Sequence, residues 1–312
     1  MRCLACRYEL PGHGAITSED PQGVAPGDFE VRVCPGCGGG TTLPLVGAEE
    51  LAKYYPQAYG PHSRQGASGP LARAAMAARL RTRLFRRLRR VVASRGGDGG
   101  RPSLLDVGSG SGDLGSVLTG QGWRVVGLEP SAAACELARR RGVETREGTL
   151  ETAELPEASF DAVVFHHSLE HVPDPVDALR AARSLLRPGG AAAIAVPNFD
   201  SRQRRRLGSN WWALDLPRHR FHFSFRALHA ALERSGLEST WLRPTASVLG
   251  PAASAQQRRS GRMEMSGGRF LAGYGAALVT YPLRWALAEA LGDGEFIAAI
   301  ATPRAGGISD EA

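Results

Sequence analysis

The sequence predicts an α/β fold: a Rossmann-like, doubly wound, mostly parallel sheet preceded by a small four-cysteine ribbon. Three observations carry this expectation. Short apolar runs alternate with helical patterns from residue 103 onward. The first run enters a glycine-rich loop, Gly108-Ser109-Gly110-Ser111-Gly112. Four of the five cysteines form two pairs, Cys3-x-x-Cys6 and Cys34-x-x-Cys37. Strand–helix alternation is the signature of a parallel sheet with helices on both faces.

The 312 residues are 43% hydrophobic and 22% charged. That is enough apolar material for a sizeable core and too much for a disordered chain. No stretch of about 18 uncharged apolar residues occurs, which predicts no transmembrane span. MRCLACRYEL contains no apolar signal region, which predicts a cytoplasmic chain. The net charge is +7, and every basic residue except Lys53 is arginine. Heavy Ala, Gly and Arg usage accounts for this as compositional drift; the alternative is an anionic partner such as nucleic acid, phosphate or a membrane surface.

Residues 1–47 read as the ribbon. Two Cys-x-x-Cys turns can point four thiolates at one ion, and an S4 site leaves no open position, so Cys3, Cys6, Cys34 and Cys37 predict structural zinc. Disulfides are the competing reading, disfavoured by a reducing compartment. Cys34-Pro35-Gly36-Cys37-Gly38 has a glycine just past its second thiol, whereas Cys3-Leu4-Ala5-Cys6-Arg7 does not. Cys135, alone in a helical pattern, reads as a buried small hydrophobe.

Residues 48–100 read as a tyrosine-containing linker and an arginine-rich helix. Tyr54, Tyr55 and Tyr59 pack the linker or cover a pocket, and 61–70 is Gly-, Ser- and Pro-rich. In the helix 71–95, Leu80, Leu84, Leu88 and Val91 form an apolar stripe, while Arg79, Arg83, Arg86, Arg87 and Arg90 point elsewhere. Gly96–Gly100 breaks the chain.

Residues 101–304 read as the main domain, with 201–290 inserted around a pocket and 305–312 as a tail. Strands are expected at Ser103–Val107, Arg124–Glu129, Val143–Glu147, Phe160–Phe165, Ala191–Val196, Ser239–Arg243 and Glu295–Ala301. Helices are expected at Leu114–Thr119, Ala132–Arg141, Pro175–Leu186 and Arg226–Ser235. Asp174 caps the third, with Pro175 at its first position.

Glycines after the first strand let backbone approach a ligand closely, and Glu129 at the end of the next strand suits a ribose diol. Gly110-x-Gly112-x-x-Gly115 also matches a dinucleotide fingerprint, a weak signal alone. At Leu105-Asp106-Val107-Gly108-Ser109-Gly110-Ser111-Gly112, Gly127-Leu128-Glu129-Pro130-Ser131, Ser159-Phe160-Asp161-Ala162-Val163-Val164 and Leu186-Arg187-Pro188-Gly189-Gly190, the sequence resembles class I S-adenosylmethionine (SAM) dependent methyltransferases. The resemblance covers about 103–200. It implies a seven-stranded sheet ending in a hairpin, built here from 239–243 and 295–301. It implies that Gly108 and Gly110 line the methionine moiety, whose cationic end Asp106 holds indirectly, that Glu129 holds the ribose hydroxyls and Thr149 and Leu150 flank the adenine, with His166 beside the sulfonium and Ser109, Gly112 and Pro130 also in the cofactor-binding set. Thr149 stands where many relatives carry an acid.

The cysteine ribbon, Tyr54-Tyr55-Pro56, His167-Ser168-Leu169-Glu170-His171 and Leu216-Pro217-Arg218-His219-Arg220-Phe221-His222-Phe223 are similar to a bacterial zinc-ribbon subgroup related to quinone-precursor O-methyltransferases. That subgroup implies O-methylation of a small molecule or sugar-containing intermediate in natural-product or surface-glycan biosynthesis. Candidate proton acceptors are His167, His171, His219 and His222, since histidine titrates near neutrality. His167, Glu170 and His171 share one face if helical, which fits a base, a divalent-metal site or a loop cap. Trp211, Trp212, Phe221 and Phe223 either stack on an acceptor or pack a lid, and Arg218 or Arg220 pairs an acceptor's phosphate or carboxylate. Phe270–Leu291 reads as a packed helix, with interfacial membrane contact as the alternative. Competing functions are a zinc-ribbon RNA methyltransferase and a non-catalytic partner protein.

Overall fold

The computed structural model describes residues 1–21, 23, 24, 26–47, 50, 51, 53–55, 83–94, 100–262 and 268–304. The linker glycines and serines, Tyr59, Arg79, Leu80 and the tail lie outside these residues.

The ribbon contributes β1 (Ile16–Glu19), β2 (Asp28–Val33) and β3 (Gly40–Leu43), followed by α1 (Arg83–Ala93). The main domain continues with β4 (Ser103–Val107), α2 (Asp113–Gly120), β5 (Arg124–Glu129), α3 (Ala132–Arg140), β6 (Glu144–Glu147), β7 (Phe160–His166), α4 (Pro175–Leu185) and β8 (Leu186–Pro197). Then come α5 (Arg202–Leu207), β9 (Phe221–His222), α6 (Phe225–Arg234), β10 (Leu237–Thr245), α7 (Gly250–Ser260), α8 (Gly268–Leu291) and β11 (Phe296–Pro303). Each expected element of the main domain is present, within a few residues at its ends. Asp174 caps α4 by accepting from Val176 N and Asp177 N.

The large sheet has the order β10-β11-β8-β7-β4-β5-β6. Only β11 runs antiparallel to its neighbours, which makes the expected terminal hairpin. Alternate residues of β4 and β7 point to opposite faces. Leu105, Val163 and Phe165 join a core with α4 and α6. Leu104, Ala162 and Val164 join a second core with Leu84, Phe85 and Leu88 of α1. Burial on both faces explains why these strands read as continuous apolar runs. In α1, Leu84 and Leu88 are buried and Arg86, Arg87, Arg89 and Arg90 are exposed, so the expected apolar stripe and arginine face are realised over the described part of the helix.

The ribbon shares its sheet and core with the main domain. Its order is β1-β2-β3-β9, and β9 comes from the insertion. Gly40 pairs with His222 and Thr41 with Phe221. Cys3, Cys34 and Cys37 lie in the same core as Phe221 and Phe223. Arg234 of α6 donates to Leu4 O and Ala5 O of the first cysteine turn. Ser224, the cap of α6, donates to Cys37 O.

Arg218 joins three segments. Its side chain is fully buried and donates to Asp215 in the insertion, to Asp20 in the ribbon and to Tyr54 O in the linker. Burial alone would lower its pKa, but Asp215 and Asp20 outweigh that and hold it above the ordinary arginine value. This corrects the expectation that Arg218 meets an acceptor's phosphate or carboxylate: it has no exposed surface. Arg218→Ala should cost about 3–5 kcal/mol, because two buried carboxylates lose their counter-charge. Denaturation midpoints of the two proteins test this.

Candidate active site

β4 ends in a loop held in unusual backbone geometry. Gly108, Gly110 and Gly112 have φ of 71°, 53° and 77°, the left-handed region open to glycine. A Cβ on Gly108 would lie 2.6 Å from Ser168 Cβ, so the loop after β7 closes directly over the glycine turn. Gly112 serves another purpose: a Cβ there would meet Ala138 Cβ at 2.8 Å, so its hydrogen seats α3. Glu129, at the end of β5, accepts from Gly110 N at 2.9 Å and from Ser131 N at 2.9 Å. Beneath the loop, Asp106 Oδ2, Ser109 Oγ and Ser168 Oγ are buried without hydrogen-bond partners. Burial, and then the charge of Glu129, push the Asp106 carboxyl up to about 7. His166 is half-buried at the end of β7, Pro130 and Thr149 are exposed, and Leu150 packs against the core.

The segment after β7 forms a turn rather than a helix. His167 takes φ 59°, and His171 N donates to Ser168 O at 3.1 Å. The expected shared helical face is therefore replaced by a turn, with His167 left-handed because the strand must reverse there. Glu170 is buried at its centre, and neither carboxylate oxygen has a hydrogen-bond partner. Histidines surround it instead: His167 Nδ1 is 3.6 Å and His219 Nε2 4.0 Å from Glu170 Oε1. Burial opposes the charge of Glu170, but His167, His219 and His171 outweigh it and hold its pKa near 2.

His171 Nδ1 lies 3.0 Å from Arg218 O and 3.3 Å from the Tyr55 hydroxyl. A carbonyl only accepts, so Nδ1 carries the hydrogen. Burial, and then His219, lower His171 to about 4. His219 Nδ1 likewise faces Ala213 O at 2.8 Å, which leaves Nε2 toward Glu170 and toward Asp215. His222 is turned to the ribbon. Thr42 donates its hydroxyl to His219 O, so it accepts from His222 Nε2 at 2.9 Å.

The aromatic insertion divides. Trp211, Phe221 and Phe223 are fully buried and pack the lid. Trp212 is half-buried, its ring 6.2 Å from that of Phe296, which lies 4.4 Å from the His167 ring. Arg220 donates to Val46 O, while its Nε is buried without a partner. Tyr54 packs edge-on against Phe29, so the two tyrosines separate into a core residue and a site residue.

The cysteine turns match each other. Cys3 O accepts from Arg7 N at 2.9 Å, and Cys34 O from Gly38 N at 2.8 Å. Arg7 has φ 63° and Gly38 φ 71°, so an arginine takes the left-handed position that glycine fills in the second turn. The four thiols lie within 4.8 Å of one another, with Cys3–Cys37 at 3.6 Å and Cys6–Cys34 at 3.5 Å. All are free, as is Cys135, whose buried thiol donates to Glu129 O.

The Methyltransferase domain family model matches residues 76–240, more than half of the chain. The chain belongs to the methyltransferase domain family. A ubiquinone biosynthesis O-methyltransferase of Alkalilimnicola ehrlichii is 39% identical over 119 residues, which cover 36% of this chain and 48% of that protein. A 37.1 kDa protein in transposon TN4556 of Streptomyces fradiae is 39% identical over 107 residues, covering 32% and 31%. The chain thus spans between about a third and a half of the length of these curated relatives. A geranyl diphosphate C-methyltransferase structure from Streptomyces coelicolor aligns with a TM-score of 0.46 at 18% identity, covering 78% of this chain and 90% of that one.

Within this methyltransferase domain, the glycine loop fits SAM on two observations. Asp106 is a buried carboxylate lacking a counter-charge, and SAM carries an ammonium and a sulfonium. Gly108 leaves a cradle that any side chain would fill. The cysteines fit zinc: a tetrahedral S4 site with Zn–S of about 2.3 Å spaces its sulfurs about 3.8 Å apart. Sequence reasoning did not assign Tyr55 to the site or make Glu170 its centre. Local spacing shows His167 and His171 near Glu170, but not the contacts that complete the cluster, His219 to Glu170 and Tyr55 to His171, which join segments far apart in the chain.

The His171 geometry has a consequence for stability. Its folded pKa lies below its unfolded value, so below pH 6.5 the unfolded chain takes up a proton that the folded chain does not. Stability from this residue should fall as pH drops from 6.5 toward 4. His171→Asn should flatten part of that loss, read as denaturation midpoints at pH 7 and pH 5.

Proposed function

We propose that the chain binds SAM at the glycine loop and transfers its methyl group to a hydroxyl oxygen of a small-molecule or sugar-containing acceptor, in natural-product or surface-glycan biosynthesis. The observation that carries this reading is the buried, unpartnered Asp106 carboxylate beneath a left-handed glycine turn, at the sheet edge where α/β folds bind ligands. When bound, SAM supplies an electrophilic methyl group on a sulfonium. Asp106 holds the cationic amino-acid end, Gly108 and Gly110 admit it, and Glu129 takes the ribose hydroxyls. Thr149 and Leu150 flank the adenine, and His166 lies beside the sulfonium.

His167 is the proton acceptor in this reading. Its side chain keeps 31% of its surface, whereas His219 and His222 are buried and His222 is committed to Thr42. Glu170 lies beside His167 Nδ1, so Nε2 is the nitrogen left to take the acceptor's proton. The carboxylate stabilises the imidazolium that forms. Trp212 and Phe296 supply an aromatic flank for a planar acceptor. Oxygen as the attacked atom is supported by the similarity to a ubiquinone biosynthesis O-methyltransferase. A second reading rests on Glu170, His171 and His219, whose ligand atoms lie within 4.8 Å of one another, a donor set that suits a divalent ion.

Zinc in the ribbon belongs to the same proposal, as a structural ion. Native mass spectrometry of protein purified without added metal or cofactor tests both halves. The expected spectrum shows one zinc per chain and an adduct of S-adenosylhomocysteine mass. A second metal per chain would favour the Glu170 site. Bare protein with no affinity for added SAM overturns the reading.

Calorimetry gives a further check. Asp106 must be ionised to hold an ammonium, and its unliganded pKa is near 7. Affinity for S-adenosylhomocysteine should therefore rise with pH up to about 7 and level off above it, by at most about tenfold per unit. Asp106→Asn should bind weakly at every pH. His167→Gln should lower methyl transfer by about 10²-fold or more while sparing cofactor affinity.

A further inference from the structure

Helix α8 is inverted relative to a helix of an ordinary protein surface. Past its first turn, where Arg269 is exposed, its ionic side chains are tied to neighbouring elements: Arg284 bonds Glu295, and Glu289 pairs with Arg83 at 2.8 Å. Its outward face is apolar. Val279 is 82% exposed, Leu283 64% and Leu271 63%. From Leu271 to Leu291 no exposed position carries a charge, and Thr280 alone among them is polar. Six turns of uncharged exposed surface on one helix exceed the scattered apolar residues that any protein surface carries.

The two helices nearest this face are strongly basic. α1 and α7 together carry seven arginines and no acidic residue. Arg83 of α1 lies over the Trp285 ring at 4.7 Å while pairing with Glu289, so α1 meets the edge of the stripe through that one residue. On the other side, Phe270 of α8 packs on Ala252 and Ala253 of α7. Between these two helices lies a cavity of about 550 Å³, lined by Arg259, Arg269, Phe270 and Gly273. Guanidinium groups at the mouth of an apolar cleft suit a phosphate attached to hydrocarbon.

We propose that the outer face of α8 docks on an anionic phospholipid surface, with the helix lying in the interface plane. Its leucines enter the boundary between headgroups and acyl chains, and the arginines of α1 and α7 meet lipid phosphates. No helix among the described residues is long and apolar enough to cross a membrane, so the contact is peripheral. Charge selects this occupant over a second copy of the chain, because pairing two such faces would bring two sets of basic helices together. The inference does not depend on which acceptor is methylated.

Vesicle flotation of the full chain tests it. Binding is expected to phosphatidylcholine vesicles containing phosphatidylglycerol, and to weaken at high salt. The double variant Val279→Glu, Leu283→Glu should lower binding by about tenfold or more. Arg258→Glu with Arg259→Glu should lower it on phosphatidylglycerol vesicles by a similar factor. Both variants should keep the wild-type thermal midpoint, which separates a lost surface from a lost fold. Three outcomes would overturn the proposal: no binding to anionic vesicles, equal binding to pure phosphatidylcholine, or a dimer in sedimentation that Val279→Glu dissolves without any vesicle binding. The last would assign the face to a second copy.

Discussion

Arg218 is the group on which the rest of the site depends. A guanidinium without exposed surface is tolerable only where carboxylates surround it, and Asp215, three residues away, and Asp20, 198 residues away, do so. Its third contact, the carbonyl of Tyr54, draws in the linker. Its own carbonyl accepts from His171. One ion cluster therefore fixes the relative positions of the ribbon, the linker and the insertion. Tyr55 and His219, adjacent in sequence to atoms of that cluster, reach His171 and Glu170 respectively because of it.

Burial acts on two carboxyl groups here with opposite results. Asp106 and Glu170 are both almost inaccessible. Asp106 has only another anion, Glu129, for company, and its pKa rises to about 7. Glu170 has three imidazoles around it and stays near 2. Desolvation penalises both anions; the neighbours decide which one stays ionised. The first is a carboxyl whose charge no neighbouring cation offsets. The second is a fixed negative charge that can support a proton on an adjacent histidine.

The ribbon bears directly on that arrangement. Thr42 on β3 holds the carbonyl of His219 and the ring of His222, and β9 continues the ribbon's sheet. The four cysteines share a core with Phe221 and Phe223. An ion bound there would stiffen the strand that carries His222 and the segment before it that carries His219. A small unit that buries too little alone gains from such an ion and from docking.

Local patterns determined much of this protein by themselves. Apolar runs in β4, β5, β7 and β8, the cap at Asp174, the glycine turn after Val107 and the two cysteine pairs each act over a few residues, so spacing exposes them. Arg7 was not legible as the left-handed residue of its turn, because only the matching backbone of Gly38 shows what that position needs. Residue type did not distinguish the four candidate histidines; their burial and partners do, and those come from segments up to about 180 residues apart. Arg218 looked like a ligand for an acceptor because its charge is visible in sequence while Asp20 as its partner is not. The outward face of α8 was likewise hidden, since a run of leucines reads the same whether it faces core or solvent. Tertiary structure decided these points because burial and long-range charge pairing are properties of the folded chain, not of any window of its sequence.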